Sequence, residues 1–277
     1  MDDPPRNKSP PQALIIVTSL YALPGKESYF SELVKRVNIF LTAACRAGVP
    51  VVLFTDKELT GLPLNVTRVH LALSETAAWR AAESHRFTMP RIHDPNKDTA
   101  EYMVLMCAKM EFLSRAAALT QHPCAAALLW CDCGISKLVN DDAEVFCDAL
   151  ARMSSVIVNR LGVGHLPEYW LTFPSIWPAA YVDADAVSDY VRWQMCGGIL
   201  LCNPETAHVL CDHFNQGMVR MLEWNGALVW ETNVMAAIEH SLQLEVEVTR
   251  WDAIHDLSMF EVWRSPWVMM TTIPANH

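Results

Sequence analysis

The chain has 277 residues, of which 52% are hydrophobic and 19% charged, so it is neither an intrinsically disordered protein nor a coiled coil. Its net charge of −10 at pH 7 and the lack of any Lys/Arg cluster argue against nucleic acid as a partner. The nine cysteines, an odd number scattered through apolar runs, indicate reduced thiols rather than a disulfide framework.

The N-terminal segment MDDPPRNKSPPQ is polar and rich in proline. It lacks the basic start and apolar centre of a cleavable signal, and the longest apolar runs of the chain are too short or too interrupted by charge to cross a membrane. We therefore expect a disordered tail over residues 1–12, no transmembrane segment and a cytoplasmic location.

Three apolar runs of strand length follow the tail. ALIIVTS (13–19) and PVVLFTD (50–56) are typical of strands buried on both faces. The pattern between them predicts a helix that is capped by Ser28 and stopped by Gly48. The first strand, this helix and the second strand form a βαβ unit, which we expect to be right-handed. NVTRVHLAL (65–73) predicts a third strand.

The clearest helical pattern covers DTAEYMVLMCAKMEFLSRAAAL (98–119), with Asp98 and Glu101 as a capping box. It leads into a fourth strand, the apolar run that ends at WCDCG. DDAEVFCDALARM then predicts a helix, SSVIVN (154–159) a strand, and GGILLCNPE a short strand followed by a helix with Asn203 as its cap.

This alternation predicts an α/β protein of the Rossmann type with a mostly parallel central sheet. No linker or internal repeat divides the chain, so we expect a single domain over residues 13–277. Its nucleotide-binding half should cover 13–150 and its acceptor-side half 151–277, since ligands of such folds bind at the carboxyl ends of the strands.

Asp132 lies where the fourth strand ends and the chain turns at Gly134. An ionised acid at that position needs a partner, because leaving it buried and unpaired costs several kcal/mol. A divalent cation that bridges a diphosphate is one candidate. A neighbouring Arg or Lys, or backbone N–H groups, are the others.

Five segments in order resemble the HtrL/YibB family of GT-A-type glycosyltransferase-like proteins over residues 13 to 240: ALIIVTSLY, VVLFTDKE, DTAEYMVLMCAKMEFL, WCDCGI and MCGGILLCNPE. The resemblance implies a GT-A-like three-layer sandwich. It also implies a D-x-D motif that holds Mn²⁺ or Mg²⁺ against the diphosphate of a sugar nucleotide. Here Trp130 stands at the first Asp position and Asp132 at the second, so one carboxylate remains.

Asp132 is accordingly the predicted metal ligand, and His255 is predicted to join it, because GT-A enzymes often supply a late His to the metal or diphosphate. A structural histidine is the alternative. VDAD (182–185) is a literal D-x-D, but no buried strand precedes it, which favours a solvated or capping role. The C-x-C formed by Cys131 and Cys133 lacks the further ligands of a soft-metal site.

Lys109 and Glu231 complete the predicted catalytic set with Asp132. Lys109 is a cation inside an otherwise uncharged helical run, so it either snorkels to solvent or meets an anion. The matching lysine of the family favours the diphosphate or donor sugar. Glu231 is either a first-turn charge that suits the helix dipole or a buried carboxylate that acts on the acceptor hydroxyl, a role for which Asp185 is a rival.

The nucleotide is expected at the ends of the first two strands. Thr18, Ser19 and Tyr21 follow the first strand, and Tyr21 is suited to stack on a base. Asp56 follows the second and is suited to accept from a base N–H or ribose hydroxyl, with a turn or cap role as the alternative. Gly197 and Gly198 allow close approach of a backbone or sugar, as similar GT-A segments do.

The predicted function is therefore a metal-dependent glycosyltransferase. It would move a sugar from a nucleoside-diphosphate sugar, expected to be a UDP-sugar, to a glycan or other hydroxyl acceptor. A catalytically inactive relative that binds carbohydrate or nucleotide sugar is the alternative, because the first D-x-D acid is missing. A hydrolase or nucleotidyltransferase is disfavoured, since neither G-x-x-x-x-G-K-[ST] nor G-x-G-x-x-G occurs.

Overall fold

The computed structural model describes residues 14–119, 127–163, 167–176, 189 and 191–264. The predicted tail over 1–12 lies outside these residues. None of the helices in the described ranges is long and apolar enough to pass through a bilayer.

One sheet holds all seven described strands: β1 (Leu14–Leu20), β2 (Val51–Thr55), β3 (Val66–His70), β4 (Ala127–Cys131), β5 (Trp170–Ser175), β6 (Ile199–Cys202) and β7 (Glu247–Asp252). The helices are α1 (Glu27–Arg46), α2 (Ala77–Ser84), α3 (Ala100–Cys107), α4 (Lys109–Leu119), α5 (Ala143–Val163), α6 (Pro204–Asn225) and α7 (Glu231–Leu242). Short 3₁₀ turns follow β3, β4 and β7.

The sheet order is β3-β2-β1-β4-β6-β5-β7. β1 to β4 are parallel where they pair, and β5 pairs in parallel with β7. β6 runs against both of its neighbours, β4 and β5. Among the described strands it alone is reversed, so the predicted mostly parallel α/β sheet is confirmed.

Both faces of the sheet are covered, as its uninterrupted apolar strands require. In β1, Ile15 and Val17 point into a core layer closed by α2, α3, α4, α6 and α7. Leu14 and Ile16 point into the opposite layer, closed by α1 and α5. The predicted three-layer sandwich follows from this alternation of side chains, which has the two-residue period of a strand.

The reversed strand β6 determines what lies beside the end of β4. Cys131 pairs with Ile199, so the start of β6 meets the carboxyl end of β4. Asp132 N–H donates to the Gly198 carbonyl at 3.0 Å and extends this pairing by one residue. The two glycines that precede β6 are thereby placed next to Asp132.

The helix predicted over 98–119 is two helices, α3 and α4, which meet at Ala108. The cap of α3 is Thr99, whose side chain accepts from Tyr102 N–H; the Asp98 carboxylate instead accepts from Asp94 N–H. Similarly, α1 begins at Glu27, so Ser28 lies inside the helix rather than at its cap. Gly48, with φ of +69°, follows this helix as predicted.

The strand predicted at SSVIVN (154–159) is wrong, because these residues continue α5. The β-branched residues favoured a strand locally. The buried side chains of α5 nevertheless keep helical spacing through the segment, and each is fully enclosed: Phe146, Leu150, Met153 and Ile157. Packing of this face against the sheet overrides the local preference.

Ile157→Ala tests this reading of α5. Ile157 has no exposed surface, so its truncation should lower the free energy of unfolding by about 2–5 kcal/mol. Val158 is 48% exposed, and Val158→Ala should change that free energy by less than about 0.5 kcal/mol. Urea unfolding of both variants gives the comparison, and equal losses would contradict a helix with one buried face.

Candidate functional site

The order in which successive strands are added to the sheet reverses at β1. β2 and β3 lie on one side of β1, and β4 lies on the other. In open α/β sheets this switch point leaves a crevice at the carboxyl ends of the strands, where ligands bind. Asp132, the first residue after β4, lies at that crevice as the sequence predicted for its place in the strand order.

Lys109 joins Asp132 to two distant parts of the chain. Its Nζ lies 3.0 Å from Asp132 Oδ1, donates to Glu231 Oε1 at 2.8 Å and donates to the Gly197 carbonyl at 2.8 Å. The Lys109 side chain is 1% exposed and that of Glu231 7%, whereas Asp132 is 36% exposed. Lys109 is therefore in direct contact with both of the other predicted catalytic residues.

Local structure explains this convergence. A helix that leads into a parallel strand runs opposite to it, so α4 begins at the edge where β4 ends, and Lys109 is its first residue. Glu231 is likewise the first residue of α7. It lies in the first turn and is also buried, and its contact with an acceptor hydroxyl stays a prediction.

Trp130 occupies the core below this cluster. Its indole Nε1–H donates to Asp132 Oδ1 at 2.8 Å, and its ring stacks on Phe112 with centroids 6.0 Å apart. Lys109 Nζ lies 5.7 Å from the centroid of the Trp130 ring system. Trp130 thus supplies a hydrogen-bond donor to Asp132 and apolar volume to the core.

The cluster of Lys109, Asp132 and Glu231 contains two carboxylates and one ammonium group. Burial lowers the pKa of Lys109, but the two carboxylates and their hydrogen bonds outweigh burial and raise it above the usual lysine value. The ammonium is therefore charged at neutral pH, and its stabilising contribution is lost only as the pH rises through the raised pKa. The predicted snorkelling alternative does not apply, because Nζ is enclosed.

Gly197 is required by the approach of Glu231. A Cβ at Gly197 would collide with Glu231 Oε1, whereas a Cβ at Gly198 would meet the end of Ile135 at 3.3 Å and Asp132 Oδ2 at 3.6 Å. The close approach predicted for this pair of glycines is thus made by a carboxylate of the protein itself at Gly197. Contact of either glycine with a sugar remains a prediction.

Thr18 and Ser19 lie inside β1 rather than after it. Thr18 is fully buried, and its hydroxyl has no hydrogen-bond partner among the described residues. The register pairs Val17 with Trp130. Continued by two residues, it sets Ser19 beside Asp132, so Ser19 is the nearer of the two to the crevice.

Tyr21 does not offer a stacking surface for a base. Its hydroxyl donates to the Leu71 carbonyl at 2.8 Å, and its ring stacks on Phe112 in the core. Only 4% of the residue is exposed. The ring of Tyr21 lies in the apolar layer between β1 and α4. The expectation that Tyr21 stacks on a base is therefore wrong.

Asp56 keeps an unused acceptor at the end of β2. Its Oδ1 is buried without a hydrogen-bond partner in the described ranges, and its Oδ2 lies 3.4 Å from Lys57 Nζ. The turn after β2 is capped by Thr55, whose hydroxyl accepts from Lys57 N–H. The cap alternative for Asp56 therefore loses its support, and an acceptor for a ligand N–H or O–H remains.

The surroundings of His255 do not favour its predicted role as a metal ligand. Its ring packs edge-on against Trp193, with centroids 4.7 Å apart. Burial lowers the pKa of His255, and the positive charges of Lys137 and Lys97 lower it further. Two neighbouring ammonium groups disfavour a divalent cation at this ring. In the described part of the chain, no three His, Cys, Asp or Glu side chains form a metal-binding group.

Asp132, without a second protein ligand, fits a cation that is also bound by oxygens of a substrate. Its Oδ2 is contacted by Lys109 Nζ only at 3.4 Å, and the cluster has a formal net charge of −1. Mg²⁺ and similar hard cations are commonly held by one or two carboxylates, waters and substrate phosphates. The alternative D-x-D at 182–185, including Asp185, lies outside the described residues.

Two tyrosines near the cluster were not predicted as site residues. Burial raises the pKa of Tyr102, and the charges of Glu231 and Asp132 add to this; burial also raises the pKa of Tyr29, with Asp132 contributing. Tyr102 precedes Lys109 by seven residues, two helical turns, and this spacing was a usable signal. Tyr29 lies in the first turn of α1, which starts at the same edge of the sheet.

No protein-family model and no curated protein matches the chain. Among solved structures, a "putative nucleotide-diphospho-sugar transferase" from Desulfovibrio desulfuricans G20 is similar at 11% sequence identity. The match covers 93% of each chain, with a TM-score of 0.39. Neither value is high enough to support an inference about activity.

Gly197→Ala tests the contact between Gly197 and Glu231. The added methyl group forces Glu231 away from Lys109, so we expect a loss of about 1–3 kcal/mol in the free energy of unfolding. Gly198→Ala adds the same group next to movable side-chain ends and should cost less. Thermal unfolding of both variants measures the difference, and a Gly197→Ala protein as stable as the wild type would contradict the packing described.

Proposed function

We propose that this protein is a glycosyltransferase that binds a nucleoside-diphosphate sugar, in particular a UDP-sugar, and transfers the sugar to a glycan or another hydroxyl acceptor. The carrying observation is the cluster of Lys109, Asp132 and Glu231 at the switch point of the sheet. Sites of this position bind nucleotides in doubly wound sheets, and the resemblance of the sequence motifs to a GT-A-type family agrees with it.

The nucleoside would lie over the ends of β1 and β2. Asp56 Oδ1 is a buried acceptor without a partner among the described residues, and an acceptor of that kind favours a ligand N–H or O–H. Ser19 lies between Asp56 and Asp132 in the order of the strands. The diphosphate would then extend from β2 towards the end of β4.

Asp132 is the most exposed member of the cluster, so it is the residue that would meet the diphosphate end of the donor. Together with diphosphate oxygens, it would hold Mn²⁺ or Mg²⁺. A cation held there would supply positive charge to the departing nucleoside diphosphate. Trp130 and Lys109 orient Asp132 through its Oδ1, and the contact of Lys109 Nζ with Oδ2 is longer, at 3.4 Å.

Glu231 is the candidate general base if the transfer inverts the sugar configuration. Its Oε1 is fixed by Lys109, and the side chain is 7% exposed. Proton removal from an acceptor hydroxyl requires a carboxylate within hydrogen-bond reach of that hydroxyl. In this arrangement the acceptor would enter from the side of α7.

A second candidate function is binding of a nucleotide sugar without transfer. The observation that favours it is Trp130, which replaces the first acid of the D-x-D motif and fills the core with its ring. An assay for released nucleoside diphosphate, run with a panel of sugar nucleotides and acceptors, separates the two. Binding without release under all conditions would favour the second function.

Titrations with UDP and with uridine test the proposed donor site. Asp132→Asn should weaken Mn²⁺-dependent UDP binding about tenfold or more, since it removes a charge-assisted contact of about 1.5–3 kcal/mol. Uridine has no diphosphate and should bind both proteins alike. Asp56→Ala is the control, because it removes the acceptor for the nucleoside and should weaken UDP and uridine by the same factor.

Calorimetry with and without Mn²⁺ measures the affinity of each of the three proteins for UDP and for uridine. A wild-type protein that binds neither UDP nor uridine would contradict the proposed function. Unchanged UDP affinity in Asp132→Asn would instead remove Asp132 from the donor site while leaving the nucleoside site intact.

A further inference from the structure

The ammonium of Lys109 has no hydrogen left for a substrate. A lysine ammonium has three N–H donors, and three protein oxygens surround Nζ: Asp132 Oδ1, Glu231 Oε1 and the Gly197 carbonyl. The separations of 2.8–3.0 Å are those of charged hydrogen bonds. These distances from Nζ to oxygen are longer than the roughly 2.0–2.6 Å between Mg²⁺ or Ca²⁺ and their oxygen ligands.

These three oxygens come from separate segments: the end of β4, the residues before β6 and the start of α7. Two of them belong to carboxylates, and each lies within 3.0 Å of the same ammonium nitrogen. Without a cation between them, the carboxylates would repel each other in a buried site. We call these three oxygens the oxygen cage.

We infer that Lys109 is a positioning residue, the tethered cation of the oxygen cage, which sets Asp132 and Glu231 in place and does not itself touch the donor. The statement about the donor rests on the proposed function, whereas the oxygen cage and its cation do not depend on that function. The earlier expectation, contact of Lys109 with the diphosphate, would require an N–H that the cage already uses.

A shorter side chain at position 109 should therefore leave an empty cation site inside the oxygen cage. Lys109→Ala removes the tethered ammonium and leaves a space lined by two carboxylates and a carbonyl. Free ammonium from solution has the same charge, the same donors and a smaller size, so it should refill that space. Lys109→Met is the matched variant, because its unbranched side chain occupies the space without charge or N–H donors.

The test is the thermal midpoint of each protein in ammonium chloride and in tetramethylammonium chloride at equal ionic strength. Tetramethylammonium matches the charge, but it has no N–H donors and is too large for the cage. The midpoint of Lys109→Ala should rise saturably with ammonium and not with tetramethylammonium. Wild type, Lys109→Met and the surface variant Lys35→Ala, whose lysine side chain is 77% exposed, should show no difference between the salts.

A double variant, Lys109→Ala with Glu231→Gln, covers the case in which the single variant does not fold. It removes one of the two unpaired charges and keeps an oxygen at each corner of the cage. A smaller midpoint rise in ammonium is expected for it. Absence of an ammonium-specific rise in the double variant and in any folded single variant would overturn the inference.

Donor binding separates positioning from direct contact. In Lys109→Ala, ammonium should restore UDP affinity to within a few fold of wild type as it restores the midpoint. Restored stability without restored UDP affinity would mean that Lys109 contacts the donor, and would overturn the positioning role. If the wild type binds no UDP, the proposed function fails, and the midpoint measurements still decide whether the oxygen cage binds a cation.

Discussion

The ion pairs of one buried ammonium organise the edge of the sheet where β4 ends. A lysine that is 1% exposed is tolerated only with complete pairing, because desolvation of its charge costs several kcal/mol. Removal of one partner of such a pair costs about 3–5 kcal/mol. The start of α4, the start of α7 and the residues before β6 are therefore tied to a single point, and the glycine at 197 is a condition of that arrangement.

Strand direction determines which residues can take part. A parallel strand beside β4 would bring its carboxyl end to Asp132 and its amino end to the far side of the sheet. Because β6 is antiparallel, its amino end lies at Asp132. The glycines before β6 therefore bring a backbone carbonyl and a Cα without a side chain to this place. The reversal thus gives the crevice close backbone approach on one wall and side chains from β1 and β2 on the other.

The sequence carried much of the fold and part of the site. Uninterrupted apolar strands and the carboxyl-end rule were enough to place Asp132 at the crevice, since both depend on local pattern and chain order. SSVIVN failed because its β-branched residues gave a local preference that the buried face of α5 overrides. Tyr21 failed because the packing of α4 on β1 is a tertiary contact. The pairing of Lys109 with Glu231 spans 122 residues, and no spacing rule reaches that distance.

That separation also bears on how the protein folds. Lys109 and Asp132 belong to the first half of the chain, whereas Gly197 and Glu231 belong to the second, and β4 and β6 join the halves in one sheet. Contacts of such long range form late, because loop closure must precede them. During synthesis, the first half would therefore carry an ammonium with two of its three oxygen partners missing. The cluster can therefore be completed only after the second half of the chain has joined the sheet.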